Sequence, residues 1–197
     1  MTESLGDRAA RGSDPEDASR LVTPANLLTI SRILLTPLFL VLFMSTGPNW
    51  WVLAFGFLIA ITDWFDGWLA RRHGVTRAGA FLDPLADKVL VLGTLFALVA
   101  KGLFPLFPVA VITVRELFIS AYRSYWGRRG LSIPARKSAK WKTFIQEISC
   151  ALALMPPIAS DALWMPIVVL WGAMGLTVYS GWLYVRDGSR AMNATGR

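Results

Sequence analysis

Residues 63–87 read Asp63-Trp-Phe-Asp66-Gly67-Trp-Leu-Ala70-Arg71, then seven residues, then Gly79-Ala-Phe-Leu-Asp83-Pro-Leu-Ala-Asp87. Four carboxylates lie here inside otherwise apolar sequence. At a bilayer centre each would cost roughly 2.5–3.5 kcal/mol, so four without partners would cost on the order of 10 kcal/mol. Asp63 and Asp66 are three apart and Asp83 and Asp87 four apart, spacings that place each pair on one face of a helix. Gly67 and Ala70 accompany the first pair and Gly79 the second, which removes side-chain bulk beside the acids. Arg71 and Arg72 follow the first pair, and guanidinium groups grip phosphate oxygens bidentately. Acids able to hold hard divalent cations, bases and a gap together suggest metal-assisted phosphate chemistry.

The rest of the chain sets this stretch in a membrane. Of 197 residues 54% are hydrophobic, nine are Trp, and the formal net charge is +7. Six apolar stretches approach spanning length, at about 25–46, 50–71, 80–101, 103–122, 143–160 and 163–185. The expected fold is therefore all-α, a polytopic membrane protein with six transmembrane helices. Charge in the connections orients it. Arg71 to Ala78 holds three cations, and Leu117 to Gln146 holds seven with no acid, whereas the other three connections hold one cation and one acid in all. By the positive-inside rule the basic connections and both termini are cytoplasmic.

Residues 1–22 are rich in Asp, Glu, Arg, Ser and Gly and lack the apolar core of a signal peptide, so a solvated cytoplasmic tail is expected there. Residues 187–197 read as a second such tail, leaving 23–186 as one membrane domain. Cys150 is the single cysteine and reads as a small core residue, with no internal disulfide possible.

The pattern resembles the signature of the CDP-alcohol phosphatidyltransferase family, D-x2-D-G-x2-A-R-x8-G-x3-D-x3-D. Asp63, Asp66, Gly67, Ala70, Arg71, Gly79, Asp83 and Asp87 occupy its eight fixed places. One departure exists: seven residues, Arg72 to Ala78, separate Arg71 from Gly79 where eight are usual, which tightens the turn and preserves the spacing within each half. The resemblance implies a six-helix membrane enzyme, working as a homodimer, that transfers the phosphatidyl group of a CDP-linked lipid to an alcohol and releases CMP. It further implies two divalent cations held by Asp63, Asp66, Asp83 and Asp87, with Asp87 also the general base. Oxygen ligands suit Mg²⁺ or Mn²⁺, and no Cys or His cluster offers itself to zinc. Carried over residue by residue, Gly67, Ala70, Arg71, Thr76 and Gly79 would contact the CDP-lipid, with Asn26 and Thr29 as further nucleotide contacts. Asn26 as a helix cap and Thr29 as a back-bonded threonine are the competing structural readings.

The acceptor is marked by bases. Arg123, Lys140 and Lys142 flank the basic connection after the fourth span and can serve an acceptor phosphate; Arg115, two turns deeper, can do so or pair with Glu116. Part of this charge also serves topology and attraction to anionic lipid headgroups. Asn26-Leu-Leu-Thr-Ile-Ser-Arg32, Phe81-Leu-Asp83-Pro84-Leu-Ala-Asp87-Lys88, Arg115-Glu116, Ser120-Ala-Tyr-Arg123 and Lys140-Trp-Lys142-Thr143 together resemble the branch of the family that makes phosphatidylglycerophosphate. That branch implies CDP-diacylglycerol and sn-glycerol 3-phosphate as substrates, membrane lipids as surroundings, no nucleic-acid partner, and an active site facing the cytoplasm from the cell (inner) membrane. Phosphatidylglycerol or inositol phosphate is the alternative acceptor. A cation- or proton-coupled transporter is the alternative of another class, against which the crowding of the acids at one membrane face argues. The single histidine, His73, rules out phospholipase D-like cardiolipin synthesis, which needs two His-x-Lys motifs.

Overall fold

The computed structural model describes residues 24–73, 77–128 and 138–194; for 24–29, 63–73, 77–85, 87, 128, 138–140 and 189–194 it gives the helical backbone alone. The described residues are helical apart from short connections, with no strand among them. Among the described residues seven helices follow in order: α1 (Pro24–Thr46), α2 (Trp50–His73), α3 (Arg77–Ala100), α4 (Leu106–Arg128), α5 (Ser138–Leu154), α6 (Pro156–Asp161) and α7 (Trp164–Ala194).

The short connections follow from local chemistry. At the end of α1, Gly47 takes φ +72°, a left-handed conformation that closes the helix, and its amide bonds Phe43 O at 2.8 Å. Asn49 then caps α2, its Oδ1 accepting from the amides of Trp51 and Val52, both at 2.9 Å. Gly102, also at φ +72°, ends α3 in the same way, with the Leu103 amide reaching back to Leu98 O at 2.9 Å.

The apolar stretch expected as one span over 143–160 is broken. Met155, preceding Pro156, is pushed to an extended backbone at φ −72° and ψ 120°, which ends α5 and starts α6. The break leaves little unsatisfied. Pro156 and Pro157 have no N–H to orphan, and the amides of Ile158 and Ala159 both bond Met155 O, at 3.1 and 2.9 Å. Elsewhere the helices reach past the apolar stretches. The last helix continues from 185 to Ala194, and α2 and α3 take up Arg72, His73, Arg77 and Ala78 of the tight turn.

Two compact units are present. One comprises the described part of Met1–Phe39 with Phe55–Leu90; its buried residues include Arg32, Thr36, Phe39, Ile59 and Ala86. Phe39 meets Phe55 edge-on, ring centroids 6.2 Å apart, and lies against the bare backbone of Gly56. The other comprises Leu40–Ala54 and Val91–Arg197, in which α5 packs along α7 and α4 also lies on α7. Residues buried on α5 are Lys142, Gln146, Ser149, Cys150, Ala153 and Leu154; on α7 they include Leu170, Ala173, Thr177 and Ser180. Both sets recur at three and four residues, the period of one helix face. This shared face is polar at one end and apolar at the other.

Large apolar side chains also cover the outside. Leu34, Val41, Trp51, Phe57, Val114, Phe118, Val168 and Trp182 are all exposed. Among the described residues one segment, Trp164–Gly188, is long and apolar enough to cross a membrane, while Ile30–Thr46, Trp50–Thr62 and Lys88–Ala100 are apolar over shorter lengths.

Candidate active site

The motif acids fall on helical backbone, as their spacing requires. Asp63 and Asp66, with Gly67, Ala70 and Arg71, lie in the last three turns of α2; Gly79, Asp83 and Asp87 lie in the first three turns of α3. Asn26 and Thr29 lie in the first two turns of α1, and Lys140 in the first turn of α5. The side chains of all these residues, and Thr76 entirely, lie outside the described residues. Among the described residues there is no group of three or more His, Cys, Asp or Glu side chains able to hold a metal.

In the second unit, described side chains on α4, α5 and α7 form a polar cluster. Arg115 and Glu116 are consecutive on α4, and Lys142 opens the buried face of α5. Arg115 Nη1 donates to Glu116 Oε1 at 3.1 Å, and Lys142 Nζ donates to that same oxygen. Only 11%, 15% and 7% of the Arg115, Glu116 and Lys142 side chains are exposed. Two largely buried cations thus share one carboxylate oxygen, and desolvated charges demand such partners.

From α7, Ser180 Oγ accepts from Arg115 Nη2 at 2.8 Å and donates to Thr177 O at 3.0 Å. One turn along α5 from Lys142, Gln146 Nε2 donates to Thr177 Oγ1 at 2.9 Å; deeper still, Ser149 Oγ donates to Pro166 O at 2.8 Å. Of the four expected acceptor-phosphate residues, Arg115 and Lys142 are thus brought together. Arg123 lies two turns further along α4, about 12 Å in rise, and is exposed.

In the sequence Glu116 stands out as a possible partner of Arg115 and as part of the Arg115-Glu116 pair, whereas Gln146, Thr177 and Ser180 do not stand out. A signal existed in their three- and four-residue recurrence with neighbouring small residues, the pattern by which membrane helices approach closely and hydrogen-bond.

Residues 22–179 match the model of the CDP-alcohol phosphatidyltransferase family. The chain belongs to that family. A relative from Mycobacterium tuberculosis, described as a probable phosphatidylglycerophosphate synthase, is 36% identical over 210 residues, covering 100% of this chain and 97% of its own. The CDP-diacylglycerol–glycerol-3-phosphate 3-phosphatidyltransferase of Pseudomonas fluorescens is 37% identical over 183 residues, covering 87% and 93%. That of Rickettsia typhi is 34% identical over 168 residues, covering 82% and 94%. As a CDP-alcohol phosphatidyltransferase the protein is an enzyme.

Proposed function

We propose that the enzyme transfers the phosphatidyl group of CDP-diacylglycerol to sn-glycerol 3-phosphate, giving phosphatidylglycerophosphate and CMP. The names of its relatives support the donor and acceptor. The observation that carries the acceptor is the convergence of two cations, Arg115 and Lys142, in one largely buried cluster at the Glu116 carboxylate, groups of the kind that recognise the phosphate of a phosphorylated alcohol.

In this reading the acceptor phosphate is held by Arg115 and Lys142, with Arg123 and Lys140 drawing it in from the cytoplasmic side. The acceptor hydroxyl gives its proton to the Asp87 carboxylate as its oxygen bonds to the phosphatidyl phosphorus; the bond from that phosphorus to the CMP oxygen breaks. Asn26, Thr29, Gly67, Ala70, Arg71, Thr76 and Gly79 cradle the CDP moiety. Asp63, Asp66, Asp83 and Asp87 form an all-oxygen donor set of charge −4, on helical backbone at three- and four-residue spacing, which fits two Mg²⁺ or Mn²⁺ ions. Such ions, when bound, neutralise the diphosphate and stabilise the departing oxygen.

The setting proposed is the cell membrane, with a membrane domain over 23–186, six spans, both termini and the active site cytoplasmic, and a homodimeric assembly. The exposed Leu, Val, Phe and Trp side chains support lipid surroundings. Aromatic rings gather where α4 and α7 carry their bases: Tyr122 packs on Phe118, Trp126 and Tyr184, and the Arg186 guanidinium lies 5.0 Å above the Trp182 ring. Rings and cations together support the reading of an interfacial belt on this side, proposed as the cytoplasmic one.

The deciding experiment supplies purified protein with CDP-diacylglycerol, Mg²⁺ and one acceptor at a time. CMP release with sn-glycerol 3-phosphate, and little with phosphatidylglycerol or inositol phosphate, is expected. Absence of CMP release with sn-glycerol 3-phosphate would sink the proposal.

A further inference from the structure

Arg115 is fixed from the last helix of the chain. Its Nη2 donates to Ser180 Oγ at 2.8 Å, and because the Ser180 hydroxyl spends its own hydrogen on Thr177 O, a lone pair is what faces the guanidinium. The stem runs across Gly181. A Cβ built there would stand 2.8 Å from Arg115 Nε, 3.3 Å from Cγ and 3.6 Å from Cδ. These are mid-chain atoms, pinned beyond by Glu116 and Ser180, so a side chain at 181 would displace the guanidinium. Gly172 and Gly175 on the same helix would meet nothing within 4 Å. A helix-interior glycine costs about 1 kcal/mol relative to alanine, and at Gly181, unlike Gly172 and Gly175, the missing side chain is answered by a neighbour.

We propose that Ser180 and Gly181 are positioning residues that set Arg115 for the phosphate of the acceptor and thereby fix the enzyme's affinity for phosphorylated acceptors. The inference rests on the reading of Arg115 as a phosphate contact. Neither residue need touch substrate. Their effect comes through the angle and depth of a planar fork, which recognises phosphate only in register, and a shift of about 1 Å in a positioned group can cost on the order of 100-fold.

The test uses full-length enzyme in detergent with Mg²⁺, measuring KM for sn-glycerol 3-phosphate and for CDP-diacylglycerol separately. Gly181→Ala is expected to raise the first by about 10-fold or more and to leave the second unchanged. Ser180→Ala, which removes one oxygen, is expected to raise the first by roughly 5-fold, and it carries the test should Gly181→Ala not fold. In an Arg115→Ala background neither change should add to the defect, because the group they position is gone. An Arg115→Ala enzyme with wild-type KM for sn-glycerol 3-phosphate overturns the phosphate reading itself. A raised KM in Arg115→Ala beside wild-type values in Gly181→Ala and Ser180→Ala overturns the positioning role alone. So does a Gly181→Ala effect that persists without Arg115.

Discussion

Glu116 and Lys142, 26 residues apart in the chain, meet in a largely buried ion pair through an oxygen that Arg115 also shares. One carboxylate therefore holds two cations in place. Glu116→Gln leaves them facing each other without it, and the loss of a buried partner costs about 3 kcal/mol. A lower melting temperature in detergent is expected. The proposed acceptor also supplies negative charge, so saturating sn-glycerol 3-phosphate should raise the melting temperature of the variant more than that of the parent. Equal shifts in the two proteins would show that the phosphate binds elsewhere.

Asp87→Asn removes both a proposed anionic metal ligand and the proposed proton acceptor. Loss of phosphatidyl transfer by at least about 100-fold is expected, that being the low end for a positioned general base. The melting curve should stay close to that of the parent. A variant that releases CMP at the parental rate would displace Asp87 from the role of base.

Stripping divalent cations with a chelator should abolish CMP release, and Mg²⁺ or Mn²⁺ should restore it. Isothermal titration of the stripped protein should show binding that weakens in Asp63→Asn and Asp83→Asn. Full activity in excess chelator would remove the metal proposal altogether.

Between α5 and α7 the Gln146 amide spends its hydrogen on Thr177 Oγ1 at 2.9 Å. Thr177→Val keeps the shape and removes the acceptor, leaving a buried donor unmatched. The expected loss of stability is about 1 kcal/mol, since helix-to-helix hydrogen bonds in membranes are worth little more. Unfolding titrations of the parent and variant would measure it.

Two glycines separate rigid from yielding neighbours. A Cβ at Gly56 would stand 2.9 and 3.3 Å from Cε2 and Cζ of the buried Phe39 ring, whereas one at Gly93 would stand 2.9 Å from a terminal methyl of the half-buried Leu40. Gly56→Ala should destabilise by about 1–3 kcal/mol through overpacking. Gly93→Ala should be close to neutral, because a methyl rotates away and alanine favours the helix by about 1 kcal/mol. Reversal of this order in melting experiments would contradict the packing described.

What the sequence disclosed, and what it hid, follows from the range of the interactions involved. Apolar runs disclosed the helices because burial or lipid exposure of a helix is written in its own residues, and carboxylate spacing disclosed that Asp63–Asp66 and Asp83–Asp87 would sit on helical backbone. The break at Met155 was also written locally, in Pro156-Pro157, but mean hydropathy is blind to proline geometry and the run 143–160 read as unbroken. Ser180 and Gly181 stayed hidden for a different reason. A serine in an apolar helix ordinarily bonds its own backbone, as Ser180 does with Thr177 O, and its second partner lies 65 residues away in Arg115. Nothing near either residue announces the other.

The same separation bears on how the protein is made. Chains emerge at about 5–20 residues per second, so roughly 3–13 s elapse between synthesis of Arg115 and of Ser180. During that interval the arginine has its neighbour Glu116 at hand, the lysine arrives next from α5, and the α7 contacts come last. Glu116 is then a travelling counter-ion, carried with the charge it neutralises. A nascent chain halted before α7 would hold the cation without its aim, and the proposed competence for the acceptor would come only once Ser180 and Gly181 are made.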